Sequence, residues 1–219
     1  MLKIISTSDG SNTLYVPELD EYYHSTFGAV SESKHVFIES GYKSISCKTV
    51  KIFEMGFGTG LNALLTLLES LNDKREVDYV SLEKYPLNED VYKKLNYSTL
   101  LQDNESTYFN LLHECPWEIS CSITDNFRLL KIEKDLREIK FDMAFDIVYY
   151  DAFAPDKQPE MWSYDILSLV SSLTKAGGIF VTYSAKGQLK RDLKKLGFLV
   201  ENLEGPTGKR EITRAVKKS

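Results

Sequence analysis

The sequence predicts an α/β fold: a mostly parallel seven-stranded sheet with helices on both faces. Three observations carry that expectation. From residue 49 onward, short β-rich runs alternate with stretches whose apolar residues fall at helical spacing, the pattern of strands joined by crossover helices. One strand candidate, Phe145-Asp146-Ile147-Val148-Tyr149-Tyr150, is almost wholly apolar, as a strand covered on both faces should be. The run Thr49-Val50-Lys51-Ile52-Phe53 leads through three closely spaced glycines into Leu61, Leu64, Leu65 and Leu68, a strand–turn–helix unit.

The elements follow in order. Residues 1–48 read as an N-terminal extension. In it, Leu2-Lys3-Ile4-Ile5 and Thr13-Leu14-Tyr15-Val16 flank Asp9-Gly10, a hairpin turn pair. An aromatic, polar stretch over residues 22–28 comes next. Ser31 or Ser33 can then cap a short helix through Val36-Phe37-Ile38 that stops at Gly41. Residues 49–219 form the sheet domain. Its second strand is expected at 77–82, followed by helical residues 88–113 with a break near Asp103-Asn104. A third strand at 117–123 precedes a helix over 126–138. The apolar strand at 145–150 leads to a helix over 161–173 ending at Gly177-Gly178. A strand at 179–183, a basic helix over 187–196 and strand candidates at 198–200 and 212–216 complete the chain.

Apolar residues make up 42% of the 219 residues and charged residues 27%, which excludes a disordered chain. The net charge of −5 is unevenly spread: residues 186–219 hold ten Lys and Arg against four Asp and Glu, which leaves −11 on the remainder. A basic end on an acidic body suits an anionic partner, and equally a solvated helix face with a frayed terminus. Cys47, Cys115 and Cys121 form no C-x-x-C pair, and with only three histidines neither a disulfide framework nor a zinc site is expected. There is no signal-peptide pattern, and no apolar run approaches the roughly 20 residues that span a bilayer. The expectation is a reduced, soluble, cytoplasmic monomer without a metal and away from membranes.

Ligands of parallel α/β sheets bind at the carboxyl ends of the strands. Four polar positions are expected there. The strongest motif is Glu54-Met55-Gly56-Phe57-Gly58-Thr59-Gly60-Leu61-Asn62: its glycines allow a sharp turn and let a ligand lie against bare main chain, next to the free N–H groups of a helix start. The G-x-G-x-G spacing differs from that of dinucleotide binders, and the acidic Glu54 suits a cationic amino group better than a pyrophosphate. Glu83 ends the second strand and can accept both hydroxyls of a ribose, or simply pair with Lys84 at the surface. Asp125, before Asn126-Phe127, can accept an adenine amino hydrogen, cap a helix, or do both. Asp151-Ala152-Phe153-Ala154-Pro155 puts a carboxylate, a ring and a rigid turn at the mouth of the sheet. Together these describe a nucleoside site with a positively charged amino-acid end, which is S-adenosylmethionine.

Four blocks carry a family resemblance: Gly56 to Asn62, Glu83-Lys84-Tyr85-Pro86-Leu87, Asp151 to Pro155 with Pro159-Glu160-Met161-Trp162, and Gly208-Lys209-Arg210-Glu211. They resemble the methyltransferase component of MnmC, or its stand-alone form MnmD, over most of the chain. The segment Tyr22-Tyr23-His24-Ser25, with Gly28, Glu32 and His35-Val36-Phe37, is similar to the family's segment before the first strand, except that His24 stands where the family often has an aromatic residue. The resemblance implies a Rossmann-like S-adenosylmethionine-dependent methyltransferase fold. It also implies N-methylation of the 5-aminomethyl group of the wobble (2-thio)uridine in tRNA, bound through the anticodon stem-loop. The flavin-dependent oxidase domain of the fused enzymes lies outside this sequence, so a stand-alone methyltransferase acting directly on the aminomethyl uridine is expected.

The expected cofactor set is Tyr23, Glu54, Gly56, Gly58, Gly60, Asn62, Glu83, Lys84, Asp125, Asn126 and Asp151. Asp151 is the expected catalytic residue, holding the substrate ammonium and taking or relaying its proton. Phe153 and Tyr183 would wall the site, and Tyr23 and Ser25 would close over the cofactor or the target base. Lys186, Lys190, Arg191, Lys209 and Arg210 would meet tRNA phosphates. Three other readings compete: a methyltransferase for a small amine or a protein, a nicotinamide-dependent dehydrogenase, and a non-catalytic binding module.

Overall fold

The computed structural model describes residues 2–101, 107–139 and 143–219. The break expected at Asp103-Asn104 lies outside them. The N-terminal hairpin is present as β1 (Lys3–Ser6) and β2 (Asn12–Val16), extended by a short third strand, β3 (Glu21–Tyr22). Helix α1 (Ala29–Ser33) runs on into a wider π turn over Lys34–Glu39. Its start is capped neither by Ser31 nor by Ser33, which lie inside it. Instead the hairpin turn supplies the acceptors: Ser11 Oγ accepts the Ala29 N–H at 3.0 Å and Asp9 the Ser31 N–H at 2.9 Å. These bonds hold the Asp9 carboxyl well below the usual carboxylate range, although its partial burial works the other way.

The main sheet has eight strands. They are β4 (Thr49–Met55), β5 (Glu76–Glu83), β6 (Cys121–Thr124), β7 (Phe127–Glu133), β8 (Phe145–Tyr150), β9 (Thr174–Thr182), β10 (Phe198–Glu204) and β11 (Glu211–Lys217), in the order β10-β11-β9-β8-β4-β5-β7-β6. The five from β9 to β7 are parallel, and both edges are antiparallel. Two expectations fail together here. The sheet has eight strands, not seven, because residues 127–133 form a strand and not a helix. Phe127, Leu129 and Lys131 alternate inward against exposed Arg128, a period of two. The strand expected at 117–123 shrinks to β6, and Asp125-Asn126 becomes the turn between β6 and β7.

The helices are α2 (Leu61–Asp73), α3 (Glu89–Tyr92), α4 (Tyr97–Leu100), α5 (Thr107–Glu114), α6 (Tyr164–Leu173) and α7 (Gly187–Lys195). One face of the sheet packs on α2, α5 and the N-terminal segment, the other on α6 and α7. Leu14, Val36, Phe37 and Tyr42 of residues 1–48 belong to the same core as Ile52, Leu64 and Tyr149, so the extension is built onto the sheet domain. Among the described residues, no helix is long and apolar enough to cross a membrane.

Chain direction places the site. From β4 the chain fills β5 and then β7 on one side, and later β8 and β9 on the other. The crevice for a ligand therefore opens at the carboxyl ends beside β4. In register, Met55 pairs with Leu82 of β5 and with Tyr150 of β8. The residues that follow, Gly56, Glu83 and Asp151, consequently emerge side by side.

Candidate active site

A cavity of about 450 Å³ lies at this edge, roofed by residues 21–27 and floored by the glycine turn. The turn is pinned to its neighbours: Leu82 O accepts the N–H groups of Gly56 (2.8 Å) and Phe57 (3.2 Å), and Asp151 N–H donates to Met55 O (3.1 Å). Gly58 has φ +49°, and a Cβ there would lie 3.1 Å from the Tyr23 ring. The bare backbone at Gly58 is what lets Tyr23 lie across the turn. The Tyr23 ring in turn meets Phe153 edge-on, with centroids 5.0 Å apart.

Tyr23, Ser25, Gly56, Gly58, Asn62, Glu83, Lys84, Asp151, Phe153, Tyr183 and Lys209 all line the cavity. Glu83 is fixed by two main-chain donors, Gly58 N–H at 2.9 Å and Tyr85 N–H at 2.8 Å. Asp151 is half-buried and open to the cavity; its Oδ2 accepts the Asn62 amide at 2.9 Å. Burial pushes its carboxyl up to about 7. The Asn62 bond and the Lys209 charge work against that rise, and the Glu32 charge adds to it. Tyr183 donates to Ala152 O at 2.8 Å, which holds its ring against the same wall.

Several expected residues lie elsewhere. Asp125 and Asn126 sit at the amino end of β7, away from the cavity, because the helix expected there is a strand. Asn126 bonds Ser70 O (2.7 Å) and Arg75 O (2.9 Å), while Asp125 is exposed. The carboxylate at the carboxyl end of that strand is Asp135, which lines the cavity. It is held by Arg137 at 2.6 Å and Lys84 at 3.1 Å. Alternation over 127–133 followed by Asp135-Leu136 was the signal for it. Glu54 lies one step inside the sheet, fully buried and outside the cavity lining. Burial pushes it up to about 8; its bond to Ser81 (2.6 Å) offsets part of that, and the charge of Asp151 adds to it. Gly60 turns the other way: a Cβ there would stand 2.9 Å from His113 Nε2. Lys190 is paired with Glu211 at 2.8 Å and Arg191 with Gln188 at 2.7 Å, and neither lines the cavity. Lys186 and Arg210 border a second depression beside it.

Glu32 is outside the expected site set. It is buried, lines the cavity, accepts Ser25 N–H at 2.8 Å and forms an ion pair with Lys209. Its partner stands 177 positions away in the chain.

The residues present fit S-adenosylmethionine. Bare main chain lies at the turn, a fixed carboxylate stands at the end of β5, and Asn62 Oδ1 is buried without a partner among the described residues, an acceptor suited to a cationic amino group. Comparison with known proteins agrees. Residues 107–218 match the family model described as S-adenosyl-L-methionine-dependent methyltransferase. A solved structure, MnmC2 from Aquifex aeolicus, superposes with a TM-score of 0.77 at 30% identity, covering 98% of this chain and 70% of that one. Two curated relatives carry the name tRNA 5-methylaminomethyl-2-thiouridine biosynthesis bifunctional protein MnmC. The one from Marinomonas sp. is 29% identical over 90% of this chain and 31% of its own length. The one from Nitrosospira multiformis is 30% identical over 91% of this chain and 34% of its own. The chain thus spans about a third of their length.

Proposed function

The chain belongs to the S-adenosyl-L-methionine-dependent methyltransferase family, and from that premise we propose that it methylates the 5-aminomethyl nitrogen of the wobble uridine in tRNA, in the cytoplasm. The product is the 5-methylaminomethyl uridine, with or without the 2-thio group. The observation that carries this reading is Asp151: a half-buried carboxylate held by Asn62 on the wall of the cavity that Glu83 and Tyr183 also line. The names of the curated relatives support the choice of nucleoside.

When bound, S-adenosylmethionine supplies a methyl group already activated on a sulfonium. The chain's own residues then have to align a nitrogen and manage its proton. An in-line approach needs the nitrogen within about 3–3.5 Å of the methyl carbon, and such positioning supplies ~7–11 kcal/mol of barrier reduction. An alkyl amine is mostly ammonium at neutral pH and then has no lone pair. Asp151 binds that ammonium, orients it and accepts its proton. A carboxyl pushed up to about 7 is a better acceptor at neutral pH than an ordinary one. Glu83 would hold the ribose, and Asp135, in place of Asp125, would take the adenine side. Tyr23, Phe153 and Tyr183 keep water from the reacting groups.

The test is methyl transfer from radiolabelled S-adenosylmethionine to bulk tRNA carrying unmethylated aminomethyl uridine. Label is expected in the wobble nucleoside. Label in protein or small amines alone would overturn the substrate assignment.

A further inference from the structure

At the cavity mouth Phe27 is 53% exposed, although it lines the cavity. Its ring lies against the main chain of Gly208, where a Cβ would come within 2.3 Å of the ring. Gly208 also has φ +87°, so glycine is what permits both the turn and the ring's seat. The turn continues into Lys209, whose Nζ stands 4.1 Å from the Tyr183 ring centroid, and then into exposed Arg210.

Arg210 and Lys186 line an open depression of about 500 Å³ that shares Ala154, Tyr183 and Lys209 with the main cavity. Two of its three cations, Arg210 and Lys186, are exposed, while Lys209 is paired with Glu32. The charge of Arg210 acts on Glu211 beside it. Among the described residues Lys186 is paired only with Asp156, both side chains more than half exposed, and such a pair exchanges readily. The acidic Glu211 on the same rim is already neutralised by Lys190 at 2.8 Å. A bare ring beside a groove of cations is how proteins bind single-stranded nucleic acid: the ring takes a base and the cations take the backbone. A small amine would use neither.

Resting on the tRNA reading, we propose that this junction holds the nucleotide next to the target uridine, its base stacked on Phe27 and its phosphate between Lys186 and Arg210. The experiment measures kcat/KM on tRNA, its salt dependence and the dissociation constant for S-adenosylmethionine in wild type, Phe27→Ala, Phe27→Trp and Arg210→Ala. Phe27→Ala should lower kcat/KM roughly tenfold or more, and Phe27→Trp should restore it. Arg210→Ala should reduce the salt slope by about 1. The cofactor constant should stay at the wild-type value throughout. Wild-type kcat/KM in Phe27→Ala, or failure of Phe27→Trp to restore it, would overturn the stacking. An unchanged slope in Arg210→Ala would overturn the phosphate contact. A wild-type enzyme inert on tRNA would instead remove the substrate reading, and this junction with it.

Discussion

At the carboxyl end of the sheet, Gly56, Glu83, Asp135 and Asp151 stand around one cavity. At the amino end, residues of the same kinds are spent on turns and strand pairing. Asn126 ties the β6–β7 turn to Ser70 and Arg75. Asp146 accepts Lys51 N–H at 2.8 Å and pairs with Lys175 at 2.7 Å, and Asp78 pairs with Arg128. Residue type does not separate the two sets. What separates them is strand direction, because only at the carboxyl ends do loops leave neighbouring parallel strands side by side and leave a crevice between them.

Substitutions at the two ends sharpen the contrast. The largest effect is expected at Asp151. Asp151→Ala should bind S-adenosylmethionine normally and lose roughly 10²- to 10⁴-fold in methyl transfer, measured by single-turnover kinetics. The wild-type pH profile should follow the same group. Asp151 accepts a proton only when ionised, so kcat/KM should rise with pH through about 7 and lose that step in Asp151→Asn. A profile that falls as pH rises through this range would contradict the role. A smaller effect is expected at Asp135, where Ala should weaken cofactor binding about tenfold by calorimetry, the loss of a charged hydrogen bond. Asp125→Ala, at the opposite end, should leave both cofactor affinity and turnover unchanged. Equal losses at Asp125 and Asp135 would erase the distinction between the ends.

The half of the site beside β4, β5 and β8 was legible because each piece is local. A strand followed at once by three glycines, by Glu83 or by Asp151 declares its own position. Asp135 is absent from the expected site because a helix is expected over 126–138, although Phe127, Leu129 and Lys131 carry a strand's period. The same expected helix puts Asp125, which lies away from the cavity, in the place that Asp135 takes on the cavity wall. Glu54 was legible as part of the motif but not its depth: Met55 reaches the cavity and Glu54 stays under it. The opposite wall depends on contacts that no local pattern contains. Glu32 meets Lys209, Phe27 meets Gly208, and Tyr23 meets Phe153, each joining the N-terminal segment to a distant loop. The basic helix was legible in composition, yet Lys190 and Arg191 are engaged by Glu211 and Gln188, leaving Lys186 and Arg210 beside the site.

The central claim is that the carboxyl edge beside β4 grips the cofactor and aims it at Asp151. A crystal structure with S-adenosylhomocysteine tests it most directly. The ribose is expected at Glu83, the main chain of Gly56 to Gly58 against the ligand, and the sulfur facing Asp151. Density for the ligand away from this edge, or a sulfur turned from Asp151, would contradict it.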